Sequence, residues 1–190
     1  MSIRIPAIIP QRPQPATPLA ENPAPLLEAS LRHIWETAMH DLPFVNPAVQ
    51  VEALGFRRVD GDWLGMTVTP WAINLVLVPG GGALWQDIPT GEHRQIAFPA
   101  GPIEFIGDNN PDRSAPIQAY QYCPMITKMQ QVADHASARA AAEAVMLAIF
   151  EPPPAVEAEA SAEPPAAPEP AAEVRPARRA FLRGIVAGKA

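Results

Sequence analysis

Residues 46–82 read NPAVQVEALGFRRVDGDWLGMTVTPWAINLVLVPGGG, and the spacing of their apolar side chains decides the fold class. Val49, Val51 and Ala53 alternate with polar neighbours, which is the period of a strand with one face buried. Asp60-Gly61 is a hairpin-turn dipeptide, since both residue types tolerate the positive φ that a tight turn demands. Trp63 to Thr69 is rich in β-branched and aromatic residues, and Ala72 to Val78 is almost continuously apolar, as a strand buried on both faces should be. Pro70 interrupts the run. It has no N–H for a ladder, so the chain either bends there or lies at a sheet edge, where a peptide could dock beside Trp71.

Further along, RQIAFPAGPIEFIGD (94–108) offers two short strands about a Pro-Ala-Gly-Pro turn, and APIQAYQYCP (115–124) offers another. Helical periods flank these strands. Before them, Asn22 caps a run in which Leu27, Leu31, Ile34, Trp35, Ala38 and Met39 share one face, and Pro43 closes it. After them, residues 126–150 predict a long helix with a stripe of Ile126, Met129, Val132, Ala133, Ala136, Ala140, Ala144, Leu147 and Ala148. Helix, strands, helix is the order of an α+β fold. The expectation is an antiparallel sheet packed with an N-terminal and a C-terminal helix, both on one face, and flanked by disordered tails.

The tails are read from composition. Seven of the 25 prolines fall in residues 1–25, and eight more fall in residues 151–177 among nine alanines and six glutamates. Neither stretch has enough apolar surface to offset the entropy of ordering it. The chain therefore divides into a disordered Pro-rich segment (1–25), a folded α+β domain (26–150), a disordered Pro/Ala/Glu-rich linker (151–177) and a basic tail (178–190). Within the net charge of −6, residues 26–150 carry seven basic and thirteen acidic side chains, whereas everything from Arg175 onward carries five basic and none acidic. An acidic body is a poor ligand for phosphate backbones, which argues against nucleic acid, and a suitable receptor for a cationic peptide.

Chemistry is sparse. The single cysteine, Cys123, allows no internal disulfide, and a nucleophilic thiol would need an activating histidine that the sequence does not place. His33 and His40 stand seven residues apart on a helix, about 10 Å, too far to share a metal, and His93 and His135 stand alone. In PGGGALW (79–85), Trp85 occupies the position where a dinucleotide fingerprint needs glycine, so the run reads as a turn. Asp108, Asn109, Asn110 and Asp112 read as a solvated loop, lacking the glutamate that closes a calcium loop. No serine sits in a nucleophile elbow. The reading is of a non-enzyme without cofactor or metal. No apolar stretch reaches the length of a membrane span and no leader is evident, which places the protein in the cytoplasm. Of the tryptophans 35, 63, 71 and 85, Trp71 stands out for its place beside the Pro70 break.

One motif remains. Residues 177–184, ARRAFLRG, have the core of a twin-arginine export signal, yet only six residues follow, too few for a signal's apolar region. The motif reads as an imitation of another protein's signal.

Residues 42–85 resemble the HybE/HupJ family of [NiFe]-hydrogenase assembly chaperones. The resemblance rests on Asn46-Pro47, Val51-Glu52, Gly55-Phe56, Trp63-Leu64-Gly65, Thr69-Pro70-Trp71, Asn74-Leu75 and Pro79-Gly80, and extends through FPAG at 98–101 and Pro124-Met125. The family's tail pattern is met by Arg178, Arg179, Phe181, Leu182 and Gly184. Where the family has Cys-Ser-Leu this chain has Ala119-Tyr120-Gln121, so no thiol role is carried to Cys123. The resemblance implies a non-catalytic cytoplasmic chaperone that holds the signal-bearing small-subunit precursor, with the large subunit as a second partner. The alternatives are a peptide or metalloenzyme-subunit adaptor unrelated to export and a small enzyme, and the oligomeric state is open. Partner-binding residues are then Arg178, Arg179, Phe181 and Leu182 in the tail, with Trp71 and Asn74 in the body. A coil of the linker's length reaches roughly 30 Å, against a radius of gyration of about 14 Å for the body. The tail is accordingly expected to act as a tethered decoy of the signal.

Overall fold

The computed structural model describes residues 15–112 and 114–152. Six strands form one antiparallel sheet: β1 (Glu52–Val59), β2 (Asp62–Val68), β3 (Ile73–Val78), β4 (His93–Phe98), β5 (Gly101–Asn109) and β6 (Ala119–Ile126). Their order across the sheet is β1-β2-β3-β6-β5-β4. Helix α1 (Ala24–Ile34) precedes the strands and runs into a π-helical turn at Trp35–Met39, and α2 (His135–Ala148) follows them. Helix α1 starts one residue later than expected: Pro23 is its N-cap, and the Asn22 side chain sets the turn before it by accepting from the Ala24 N–H at 2.9 Å.

The hairpin dipeptide behaves as its residues require. Asp60 has φ 46° and Gly61 φ 89°, the pair of positive values that matches the strand twist of β1 and β2. Pro70 corrects the expectation of an edge or a bent strand. It sits in the turn joining β2 to β3, two central strands, while β1 and β4 are the edges. Thr69 closes that turn: its hydroxyl donates to the Ala72 carbonyl (2.8 Å) and accepts from the Ala72 N–H (3.0 Å). A fixed φ near −65° suits proline to such a turn.

The helices also depart from expectation, lying on opposite faces. One face presents Leu64, Met66 and Val68 of β2 and Ile73, Leu75 and Leu77 of β3, and buries Ala138, Ala142 and Met146 of α2 in the same cluster. The other joins Ala53, Val76 and Val78 with Leu27 of α1. The unbroken apolar run of β3 is the physical reason, because a strand whose two sides are both apolar must be covered on both sides. The Gly65 position, where an added Cβ would stand 2.4 Å from the Phe56 ring, lets that ring lie flat over β2.

The C-terminal helix is shorter than predicted and in a different phase. Residues up to Ile126 belong to β6. Extended Asp134 (φ −160°) restarts the chain, and its carboxylate caps α2 by accepting from the Ser137 N–H at 2.8 Å. The buried positions of α2 are consequently Ala138, Ala142 and Met146; of the expected stripe, Met129 is buried ahead of the helix, whereas Ala136, Ala140, Ala144, Leu147 and Ala148 face outward, Leu147 being 64% exposed.

Residues 15–23, expected to belong to a disordered segment, are strapped to the domain. The Ala16 N–H donates to Asp87 (2.9 Å) and the Leu19 N–H to the Pro79 carbonyl (2.8 Å). The Leu19 carbonyl accepts from the Trp63 indole at 2.9 Å, and the Ala20 carbonyl accepts from Arg58 at 2.8 Å. The strap supplies the acceptor for the Trp63 indole and adds to the Gly61 and Gly80 carbonyls that Arg58 already meets. Residues 1–14, the linker beyond Pro152 and the tail at 178–190 lie outside the described residues.

Asp62 organises the glycine run. It is fully buried, and one carboxylate oxygen accepts from the N–H groups of Gly80 (2.7 Å) and Gly82 (3.0 Å) while the other accepts from that of Trp85 (2.8 Å). The amides that a phosphate would use in a nucleotide loop are occupied by the protein's own anion. The run is a turn, as its sequence indicated.

Candidate functional site

Helix α1 is short and packs on β1, so it leaves β5 and β6 uncovered on its face of the sheet. The gap is a groove of about 510 Å³. Leu27, Leu31 and Ile34 of α1 form its wall. Its floor follows from strand alternation: Asn74 and Val76 of β3 stand beside Pro124 and Tyr122 of β6, and Tyr120 stands beside Asp108 of β5. Trp71 closes one end and the Asn110-Pro111 turn lies at the other.

The lining is mostly apolar and aromatic, interspersed with Ser30, Thr67, Asn74, Asn109, Asn110 and Thr127, and it has one charged side chain. Asp108 carries the only formal charge among the lining residues, which include no lysine, arginine or histidine. Its carboxylate accepts from the Tyr120 hydroxyl at 2.6 Å. Burial, and then the Asp108 charge, push the Tyr120 hydroxyl far above the usual tyrosine range, so Tyr120 keeps its proton and remains the donor. Asn74 is one of the groove's uncharged polar residues. It interrupts the apolar β3, lines the groove half-buried, and its carboxamide has no hydrogen-bond partner among the described residues. The amide is open to the groove rather than buried, which leaves its donor and its acceptor available to a ligand.

Trp71 stacks on Trp35, with ring centroids 6.2 Å apart and planes 18° from parallel. The π-helical turn begins at Trp35, where the His40 N–H reaches back to the Trp35 carbonyl at 3.1 Å. Such widened turns recur at functional sites. Ile34 beside the stack is 37% exposed, and Phe44, just before the loop that meets Pro70, is 45% exposed. Asn46 fixes this end of the groove from below. Its N–H donates to the Pro70 carbonyl (2.8 Å), and its side chain donates to the carbonyls of Met129 (3.0 Å) and Val132 (2.7 Å).

The structure thus brings Trp71 and Asn74 into one groove, while Arg178, Arg179, Phe181 and Leu182 lie outside the described residues. Sequence reasoning missed Asp108 as a groove residue and Trp35 as the partner of Trp71. A signal for the floor was present in the Tyr120–Tyr122 pair, which a period of two places on one face. The remaining candidates are locally occupied. Asp112 accepts from Ser114, and the Asn109 amide donates to the Ile88 carbonyl at 2.8 Å. His93 meets Glu104 at 2.9 Å and His135 meets Glu52 at 3.1 Å. Cys123 lies on the α2 face beside Leu75, and burial pushes its thiol up, away from the reactive thiolate. Among the described residues no group of three His, Cys, Asp or Glu is placed to hold a metal, and no helix is long and apolar enough to cross a membrane.

A family described as [NiFe]-hydrogenase assembly, chaperone, HybE matches residues 22–184. The hydrogenase expression/formation protein HupJ of Bradyrhizobium diazoefficiens is 39% identical over 161 residues, 85% of this chain and 87% of that one. The probable rubredoxin HupJ of Rhodobacter capsulatus is 35% identical over 156 residues, 82% of this chain, which spans only about half (51%) of that relative's length. The hydrogenase-2 operon protein HybE of Escherichia coli K12 is 31% identical over 84 residues, 44% of this chain and 52% of that protein. The solution structure of HybE from Escherichia coli shares the fold, with a TM-score of 0.56 at 20% identity over 84% of this chain and 94% of that one.

Proposed function

The chain belongs to the HybE family of [NiFe]-hydrogenase assembly chaperones, and on that premise we propose that it holds a hydrogenase small-subunit precursor in the cytoplasm by its twin-arginine signal until assembly is complete. One observation carries the proposal: the groove beside α1 is mostly apolar and aromatic, with a single carboxylate and no base. That lining fits a segment in which arginine is followed by apolar side chains. An arginine meeting a partly exposed carboxylate contributes about 1 kcal/mol. A buried Phe or Leu contributes about 1.5–3 kcal/mol. Less the cost of ordering both partners, the sum is a hold that can be released, as a chaperone's must be.

The test is capture of purified small-subunit precursor, with and without its signal, by the full chain. Capture should fall at least tenfold when the signal is removed. Equal capture would replace this reading with that of an adaptor for hydrogenase subunits, and the large subunit would then be the partner to examine.

Arg178, Arg179, Phe181 and Leu182 offer the same groups in the same order as such a signal, and we read them as its rival. A chain ending at residue 174 should bind a synthetic signal peptide several-fold more tightly than the full chain, and a peptide of residues 175–190 should reverse the gain. Unchanged affinity on truncation would remove the tail from the site while leaving the groove's role intact.

A further inference from the structure

Resting on the signal reading of the groove, we infer that the site continues past Trp71 onto an exposed apolar platform of Ile34, Trp35 and Phe44, which takes the apolar stretch that follows a signal's arginine pair. Four large apolar side chains are exposed among the described residues, and two of them, Ile34 (37%) and Phe44 (45%), stand at this end of the groove. Ile34 is also part of the groove wall, so groove and platform share a side chain and form one surface. Trp35 joins them from the other side, because its ring stacks on Trp71 where the groove ends. Phe44 lies two residues before Asn46, whose N–H donates to the Pro70 carbonyl beside Trp71, and it is not part of the groove lining.

The platform is fixed before a ligand arrives. The Trp35 ring is held between Trp71, stacked at 6.2 Å, and His40, which meets it edge-on at 6.4 Å. His40 is held in turn by its N–H on the Trp35 carbonyl (3.1 Å) and by its ring against Asp41 (3.0 Å). Fixed rings offer contact area at low entropic cost. Exposed polar side chains, those of Glu36, His40 and Asp41, border the apolar ones. An apolar patch with a polar rim is the pattern of a protein-binding surface.

The register of the sheet sets the ligand's direction. Asp108 pairs with Tyr120 near the start of β6, whereas Asn74 and Ile73 pair with Pro124 and Ile126 at its other end. Trp71 precedes Ile73, so the carboxylate and the aromatic platform stand at opposite ends of the floor. Asn109, Asn110, Asp112 and Ser114 border the Asp108 end, which is polar. A segment whose arginines meet Asp108 therefore finds a place for its apolar continuation at the Trp71 end. The groove reads the arginine pair with the first apolar side chains, and the platform reads the apolar area that follows them.

The experiment titrates three synthetic peptides against the full chain. One holds the arginine pair with Phe-Leu alone, the second adds a run of leucine and alanine, and the third adds an equally long run of serine and glycine. The apolar extension should tighten binding about tenfold and the serine–glycine extension less than twofold. This comparison needs no variant to fold. Phe44→Ser, a change at an exposed side chain outside the lining, should remove most of the gain while leaving the short peptide within twofold. Asp108→Asn should weaken the short and the apolar peptide by the same factor, since it acts at the other end. If the apolar run gains no more than the serine–glycine run, or Phe44→Ser keeps the whole gain, the platform is overturned while the signal reading stands. A loss in Asp108→Asn confined to one of the two peptides overturns the placement of bases and apolar run at opposite ends. If none of the peptides binds and the precursor is captured regardless of its signal, the signal reading itself is overturned.

Discussion

Trp71→Ala should weaken capture of the signal-bearing precursor about thirtyfold, because central aromatic anchors at interfaces contribute about 2 kcal/mol or more when truncated. Trp71 is half-buried, closes the groove and stacks on Trp35, so its loss removes a ligand surface and leaves the second ring unsupported. The turn that carries it is closed by Thr69 and Ala72 and does not depend on the indole. Stability should fall by only about 1 kcal/mol, and Trp71→Phe should recover most of the binding. Isothermal titration of the precursor against each variant is the measurement. A Trp71→Ala chain that binds within threefold of the original would move the apolar end of the site elsewhere.

Asp62→Ala should be the most damaging single change to the fold, at about 3–5 kcal/mol. Three backbone N–H groups, those of Gly80, Gly82 and Trp85, lose a charged acceptor at once. The loop cannot collapse to compensate. A Cβ at Gly82 would stand 2.1 Å from the Asp60 carbonyl and one at Gly80 2.5 Å from the Gly61 carbonyl, which shows how closely its backbone already approaches the β1–β2 turn. A domain of this size has about 5–15 kcal/mol in total. The urea midpoint should therefore drop by a large share of its value, and Asp62→Asn, which keeps one acceptor oxygen, should lose about half as much. A midpoint unchanged in Asp62→Ala would mean that water replaces the carboxylate without cost.

Local chemistry made much of the sheet legible. Asp60-Gly61 specified a turn wherever it fell, and the apolar run to Val78 had to be interior whatever surrounded it. The failures have one cause, which is that phase and facing are set by distant partners. The alanine-rich stretch after residue 126 has several equivalent helical stripes, and only the cap at Asp134 chooses among them. Nothing within α1 says which face of the sheet it will cover. Asp108 looked like part of a wet loop because its neighbours are polar, yet its partner Tyr120 lies on the next strand. Trp35 and Trp71 meet through a π-helical turn that no residue pattern announces. Trp71 and Asn74 were legible as residues of interest, but the groove they share was not.

Asn46 has a consequence for selectivity. Its hydrogen bonds tie the Trp71 turn to the residues ahead of α2, so the aromatic end of the groove is anchored from the opposite face of the sheet before any ligand arrives. An anchored surface needs little ordering on association, and an occupant loses less affinity to immobilising it. The same stiffness is unforgiving. A surface that does not adapt cannot rescue a segment whose side chains arrive one position out of phase, so fidelity here is a mechanical property of the receptor.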